Sequence, residues 1–177
     1  MYWCKRNIVL ALSVVFVAAC KPEIKDNGAA KYFDLKKYFT DEADRMEKLH
    51  STVLKTVNYN NSPEQKTVTV KNWKRELGLF IESDINKPAW KDSYRVTTQN
   101  DSTIYTAIDT NLRTRSVLIV SKANHIKLIA ISNFTKNMLY QTKDVLAYYP
   151  DSLYQIEKHQ SVRILGSNNY LITGKLK

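Results

Sequence analysis

Beyond Trp90 the chain is written in a two-residue rhythm, and this constrains its fold more than any other feature. Tyr94-Val96-Thr98, Ile104-Thr106-Ile108, Val117-Ile119, Ile126-Leu128-Ala130, Tyr154-Ile156 and Tyr170-Ile172 alternate with mostly polar neighbours. Successive side chains of a strand point to opposite faces, so the pattern predicts strands with one face buried and one wet. Turn formers punctuate them at Asn100-Asp101, Thr110-Asn111, Ala123-Asn124, Asn133 to Asn137, Pro150-Asp151 and Ser167-Asn168-Asn169. A spacing of about ten residues with short polar turns predicts an antiparallel meander.

The preceding segment has a different period. Leu35, Phe39, Glu42, Met46, Leu49 and Val53 fall on one helical stripe, with Tyr38 and Ala43 beside it. Asp34 can cap this helix, Lys37, Asp41, Asp44, Arg45 and Lys48 take the other face, and the end falls near His50 to Thr52. The β-branched runs Val53 to Tyr59 and Lys66 to Lys71 flank Asn60-Asn61-Ser62-Pro63, a hairpin signal. A second helix is predicted from an Asn72 cap, with Trp73, Leu77, Phe80, Ile81 and Ile85 at helical spacing and Pro88 barring its continuation. Helices first and strands later indicate an α+β fold. The expected form is two N-terminal helices packed on a twisted antiparallel meander sheet of about six to eight strands, curving towards a half-barrel.

The chain has 177 residues, and its first 19 read as a removable leader. Lys5 and Arg6 precede an apolar run from Ile8 to Ala19 that Ser13 alone interrupts, and Val17-Ala18-Ala19-Cys20 closes it. About a dozen apolar residues fall short of the roughly 20 a spanning helix needs. The closing tetrapeptide resembles the lipobox of bacterial lipoproteins. That resemblance implies cleavage between Ala19 and Cys20, a diacylglycerol thioether on the Cys20 thiol, and acylation of the new amine, as by palmitate. Lys21, where an Asp would favour inner-membrane retention, points to the outer membrane. Cys4 lies in the leader, so the processed chain keeps one thiol and forms no internal disulfide. Residues 20–30, which continue as KPEIKDNGAA after Cys20, read as a tether, and residues 31–177 as one domain.

Three blocks, FDLKKYF at Phe33 to Phe39, NWKRELGLFIESDINKPAWKDSY at Asn72 to Tyr94, and YQIEKHQSVRILGSNNYLITGKL at Tyr154 to Leu176, are similar to stretches of an uncharacterised lipoprotein family of Bacteroidota. The resemblance covers most of the processed chain, and DINKPAW is its most recognisable part. It implies an envelope address but carries no activity and no functional residues. A looser likeness, at the level of fold alone, is to carrier half-barrels that bind acyl chains between helix and sheet.

Chemistry-bearing motifs are sparse. His50, His125 and His159 share no ligand spacing, and neither HExxH nor a Cys/His cluster occurs, so no metal and no cofactor is expected. There is no GxSxG elbow. Glu82 and Asp84, two apart on a predicted helix, face different ways, and Asp84 reads as a structural group meeting Lys87, Trp90 or backbone amides. Charge is more informative. The net charge of +10 becomes +8 without Lys5 and Arg6, and most of that excess follows Lys91. Arg113 and Arg115, on one side of a strand, are candidate contacts for anionic lipid headgroups or polysaccharide. Nucleic acid is not expected for an exported chain, and no protein partner is indicated. Tyr140, Tyr148, Tyr149, Tyr154 and Tyr170 suit half-buried strand positions or the lining of a groove. Asp101-Ser102-Thr103 and Asp151-Ser152-Leu153 resemble short sites that some Bacteroidota O-glycosylate, which makes Ser102 and Ser152 candidates.

These features predict a non-enzymatic, outer-membrane-anchored lipoprotein serving envelope binding or structure. The alternatives are a carrier or chaperone of lipid or lipoprotein with an acyl groove between helix and sheet, and an envelope hydrolase. The bulky Leu35, Phe39, Met46, Trp73 and Phe80 favour a filled interface over an acyl groove.

Overall fold

The computed structural model describes residues 30–177. The expected signal segment, Cys20 and all of the expected tether but Ala30 lie outside the described residues. Nine strands form one open antiparallel sheet in the order β2-β1-β9-β8-β7-β6-β5-β4-β3. They are β1 (Thr52–Tyr59), β2 (Ser62–Thr69), β3 (Tyr94–Gln99), β4 (Ser102–Ala107), β5 (Thr114–Lys122), β6 (His125–Lys136), β7 (Tyr140–Tyr149), β8 (Leu153–Val162) and β9 (Gly166–Leu176). From β3 to β9 each strand pairs with its successor. The β1–β2 hairpin is then added beyond β9, with Val53 opposite Leu176 and Tyr59 opposite Tyr170.

The fold is α+β with an antiparallel sheet, but the expectation of two helices on six to eight strands, curving to a half-barrel, is overturned. The described residues are 54% strand and 18% helix, in one open nine-stranded meander. Two findings account for the difference. The predicted hairpin belongs to the main sheet, and β7 has no counterpart in the expected set. Its inward positions are Thr142, Asp144, Leu146 and Tyr148, and the polar pair at its start hides the alternation. Two turn assignments also move. Asn133 to Lys136 continues β6, with the turn at 137–139, and Ser167 to Asn169 belongs to β9, with the turn at 163–165. The Asn60-Asn61 and Ala123-Asn124 turns have both central residues at positive φ, the primed geometry that matches strand twist.

The first helix, α1 (Leu35–Lys48), follows its prediction closely. Asp34 accepts the Lys37 amide at 2.8 Å, and Leu35, Phe39, Ala43 and Met46 are buried. Leu49, expected on the stripe, is instead the exposed cap. The second helix is broken. Asn72 caps α2 (Trp73–Glu76), Leu77 leaves helical geometry at φ −90° and ψ 12°, and α3 (Gly78–Glu82) resumes. Glycine just past the break lowers the helical preference of the segment. The Ser83 hydroxyl donates to the Leu79 carbonyl, and Ile85 is buried outside any helix. A 3-10 turn, Pro88–Trp90, leads into β3.

Helices and sheet meet through one core. Phe39 lies 4.8 Å from Phe80 and 5.1 Å from Tyr148, ring centre to ring centre, and Trp73 sits edge-on to Tyr154. Two of the helical segments are also tied down by a carboxylate. Tyr148 donates to Glu42 at 2.6 Å, and Tyr154 donates to Glu76, which also takes Lys55 at 2.6 Å. Burial holds both phenols well above their ordinary pKa, and the facing carboxylates add to it. The Tyr154 ring crosses the β9 backbone at Gly174, where a Cβ would collide with it. The sheet edges are defended against further pairing: β2 is almost wholly exposed and carries Pro63, Glu64 and Lys66, and β3 is six residues long.

Phe80→Ala is expected to cost about 3–5 kcal/mol, the range for truncating a buried aromatic ring. Denaturant melts check this, and a loss within about 0.5 kcal/mol would place Phe80 outside the core. Gly174→Ala should cost more than the fraction of a kcal/mol usual at surface strands, because the Tyr154 ring must give way. The same melts on Gly174→Ala with Tyr154→Phe and with Tyr154→Ala identify the ring as the obstacle if only the second restores stability relative to its own parent.

Candidate functional site

The DINKPAW segment, with the chain entering α1, builds an open cleft of about 1150 Å³. Asn86 is its organiser. Its Oδ1 accepts the Tyr32 amide at 2.9 Å, and its Nδ2 donates to the Phe33 carbonyl at 3.1 Å, so one side chain clamps the segment entering the helix. The Tyr32 hydroxyl donates to the Lys91 carbonyl at 2.7 Å and fixes the opposite wall. Asp84 faces the backbone amides of Lys36 and Asn86, and Asn86 Nδ2 lies 3.5 Å from its Oδ1. Burial pushes its carboxyl above the ordinary range, and those amides oppose the shift. Lys87 lies 4.1 Å over the Trp90 ring, so its charge is held without a carboxylate partner there. Five cationic side chains, Lys31, Lys36, Lys87, Lys91 and Arg113, line the cleft against Asp34, Glu82 and Asp84, together with Ala30.

Behind Arg113 lies a buried polar cluster. Ser83 follows α3, and its carbonyl accepts the Thr114 hydroxyl at 3.2 Å while its Oγ accepts the Asn133 amide at 2.8 Å. The Thr114 carbonyl takes the Tyr94 hydroxyl at 2.9 Å. Asn133 on β6 stands opposite Asp144 on β7. Asn133 Oδ1 and Asp144 Oδ1 are both buried without a hydrogen-bond partner. Arg113 and Lys158 approach Asp144 only to 3.9 and 4.0 Å. Burial therefore dominates and raises the Asp144 pKa, with the two cations opposing.

The residues singled out in the sequence are dispersed. Arg113 and Arg115 do not act together. Arg113 turns towards Glu82 and Asp144, on the helix side of the sheet. Arg115 sits at a bulge between Thr114 and Ser116 and lies 5.3 Å over Phe134, on the other face from the adjacent Asn133. Of that pair only Arg113 belongs to the cleft. Glu82 and Asp84 both line it. His50 caps a helix end, His125 opens β6, and His159 bonds Asn169 and Glu157, so the three do not converge. Among the described residues no three His, Cys, Asp or Glu side chains group as metal ligands. Tyr148 and Tyr154 are core, Tyr140 and Tyr149 are partly exposed, and Tyr170 stacks on Tyr59, so the tyrosines line no common groove. Ser102 begins β4 and Ser152 lies in the exposed β7–β8 turn. Ala19 and Cys20 fall outside the described residues. Lys31, Lys36, Lys87, Lys91, Asn86 and Asp144 were not singled out as site residues. DINKPAW contains Asn86 and Lys87, but nothing local announces that the lysines converge.

No family model, curated protein or solved structure matches this chain.

Asp144→Asn should raise stability at pH 7. An amide at that position can donate to the orphaned Asn133 Oδ1, a gain of about 1 kcal/mol or roughly 2–4 °C in Tm. The native carboxyl, with its raised pKa, binds its proton more tightly when folded. Its charged form therefore burdens the native state at neutral pH, and the burden lifts as pH falls through the raised value. The advantage of Asp144→Asn is thus expected to shrink towards pH 4. Thermal melts at both pH values decide it, and a constant difference would refute the assignment.

Proposed function

We propose that this chain is a lipid-anchored protein of the cell envelope, held at the outer membrane through Cys20 and related to the Bacteroidota lipoproteins it resembles in sequence. Its α+β domain acts as a non-catalytic binding module for an anionic saccharide. The observation that carries the binding assignment is the cleft beside Ala30. Lys36, Lys87 and Lys91 suit carboxylate or phosphate oxygens, with Lys31 shared with Asp92 and Arg113 with Glu82, while Asp84 and the backbone can accept sugar hydroxyls. The buried, hydrogen-bonded cluster of Ser83, Thr114 and Asn133 backs the Arg113 and Asp84 side of this cleft, the kind of support a preorganised site uses. Arg113 would be the inner anion contact. Exposed Ser152 and the Ser102 turn are retained as glycosylation sites on the same reading.

The carrier alternative finds less support. An acyl site between helix and sheet needs open apolar space, and among the described residues Phe39, Trp73, Leu77, Phe80, Tyr148 and Tyr154 occupy that layer at no more than 1% exposure.

Two measurements test the proposal separately. Cys20→Ala should abolish labelling by an alkyne fatty acid, and equal labelling would refute the anchor. Lys87→Glu combined with Lys91→Glu should weaken binding of polygalacturonate, followed by calorimetry at low salt, by about tenfold or more, since two attractive charges become repulsive. Unchanged binding would remove the cleft as the site.

A further inference from the structure

Two neighbouring hairpin loops break the rule that loop tips carry polar residues. The β6–β7 turn presents Met138 and Leu139, and the β8–β9 turn presents Ile164 and Leu165, at 87, 70, 90 and 81% exposure. Nothing in local folding asks for them. Asn137 builds the first turn by itself, its Oδ1 accepting the Leu139 and Tyr140 amides at 2.8 and 2.9 Å. The Arg163 amide donates to the Leu139 carbonyl at 3.0 Å, so the two loops are joined into one tip. Four large apolar side chains are thus held outward on a braced support, with the partly exposed Tyr140 at its base.

The charge around the tip has one sign. Neither 134–142 nor 159–174 contains an Asp or Glu, while Lys136 and Arg163 lie in them; Lys143 and Lys158, further from the tip, have Asp144 and Glu157 beside them. The tip also has a defined place relative to the point where residues 1–29 join. Ala30 and Arg113 line the same cleft, and the Phe134 amide donates to the Arg113 carbonyl at 2.8 Å. The start of β5 is therefore in register with the last residues of β6, which run directly into the tip. Ten residues separate Ala30 from Cys20, a contour of at most about 33–36 Å.

We infer that the 137–139 and 163–165 loops are a bilayer contact, in which Met138, Leu139, Ile164 and Leu165 enter the headgroup–acyl boundary of an anionic membrane and the basic collar meets its phosphates. Apolar tip, tyrosine base and cationic rim are the composition an interfacial segment needs. The collar selects an anionic surface, because each basic residue near it strengthens attraction about fivefold. The inference rests on the anchored reading only for orientation, since the tip has its own composition and its own readout.

The test uses the full chain carrying either Ile164→Trp or Leu49→Trp. Leu49 is 62% exposed and follows α1, next to the start of β1 at the opposite end of the sheet. Each is mixed with phosphatidylcholine vesicles containing phosphatidylglycerol, with brominated acyl chains as quencher. The added emission of the Ile164→Trp chain should fall at least twofold more than that of the Leu49→Trp chain. Arg163→Glu with Lys136→Glu should then weaken the quenching titration by tenfold or more on anionic vesicles and little on phosphatidylcholine alone. No quenching at position 164, or equal quenching at both positions, overturns the inference, and so does a titration indifferent to the charge reversal. Failure of the anchor reads out elsewhere, as a Cys20→Ala chain that takes up an alkyne fatty acid as fully as the unaltered one.

Discussion

The structure depends on where the first hairpin attaches. Because β1 pairs with β9, β2 becomes one edge of the sheet and β3 the other, although they are consecutive in the chain. Eight interstrand gaps of about 4.8 Å separate them, roughly 38 Å in all. The connection from Thr69 to Tyr94 must therefore cross the width of the sheet. It does so over the face that needs covering, and Trp73, Leu77, Phe80 and Ile85, each fully buried, are its contribution. A mere link between edge strands becomes, with α1, the second layer of the domain.

That layer is thin, and this explains its polar fastenings. Two segments of four and five residues cannot hold themselves helical in isolation. They are held by packing and by specific bonds to the sheet: Glu76 to Tyr154 and Lys55, Ser83 to Thr114 and Asn133. α1, longer and well capped, uses Glu42 to Tyr148 in the same way. Glu42 falls on the apolar stripe of its helix, and its position makes sense only once the buried phenol below it is seen. The same crossing carries the chain through DINKPAW, so the walls of the cleft are a by-product of the route that covers the core.

What the sequence disclosed, and what it withheld, follows from the range of the interactions. Asp34 and Asn72 cap their helices as expected because capping is settled within three residues. The alternations gave six strands and the hairpin signal two more, because period and turn chemistry are local. Strand β7 was hidden by Thr142 and Asp144 pointing inward, and their neighbours in space, Asn133, Arg113 and Lys158, come from other strands or the loop before β5. Arg113 and Arg115 were read as one side of a strand because two-residue spacing implies it, and a bulge between Thr114 and Ser116 undoes the rule. The cleft was invisible for a similar reason: its lysines are unremarkable until Asn86 folds residues 32–33 against residues 86–91. The strand missed is the one that carries the unsatisfied Asp144, and local rules most often fail at sites put to another use.

The attachment of β1 to β9 also sets an order of events. From β3 onwards each strand finds its partner a turn away, and such pairings form early because little loop entropy opposes them. β1 has such a neighbour, β2, on one side only. Its contact at Asn60 waits for Asn169, 109 residues further on. Until β9 is in place, the β1–β2 hairpin has half its hydrogen-bonding edge vacant, and isolated hairpins are marginal in water. During synthesis the chain thus keeps its first strands uncommitted until nearly all of it has emerged. A shortened β9 would leave the oldest part of the chain as an open sheet edge.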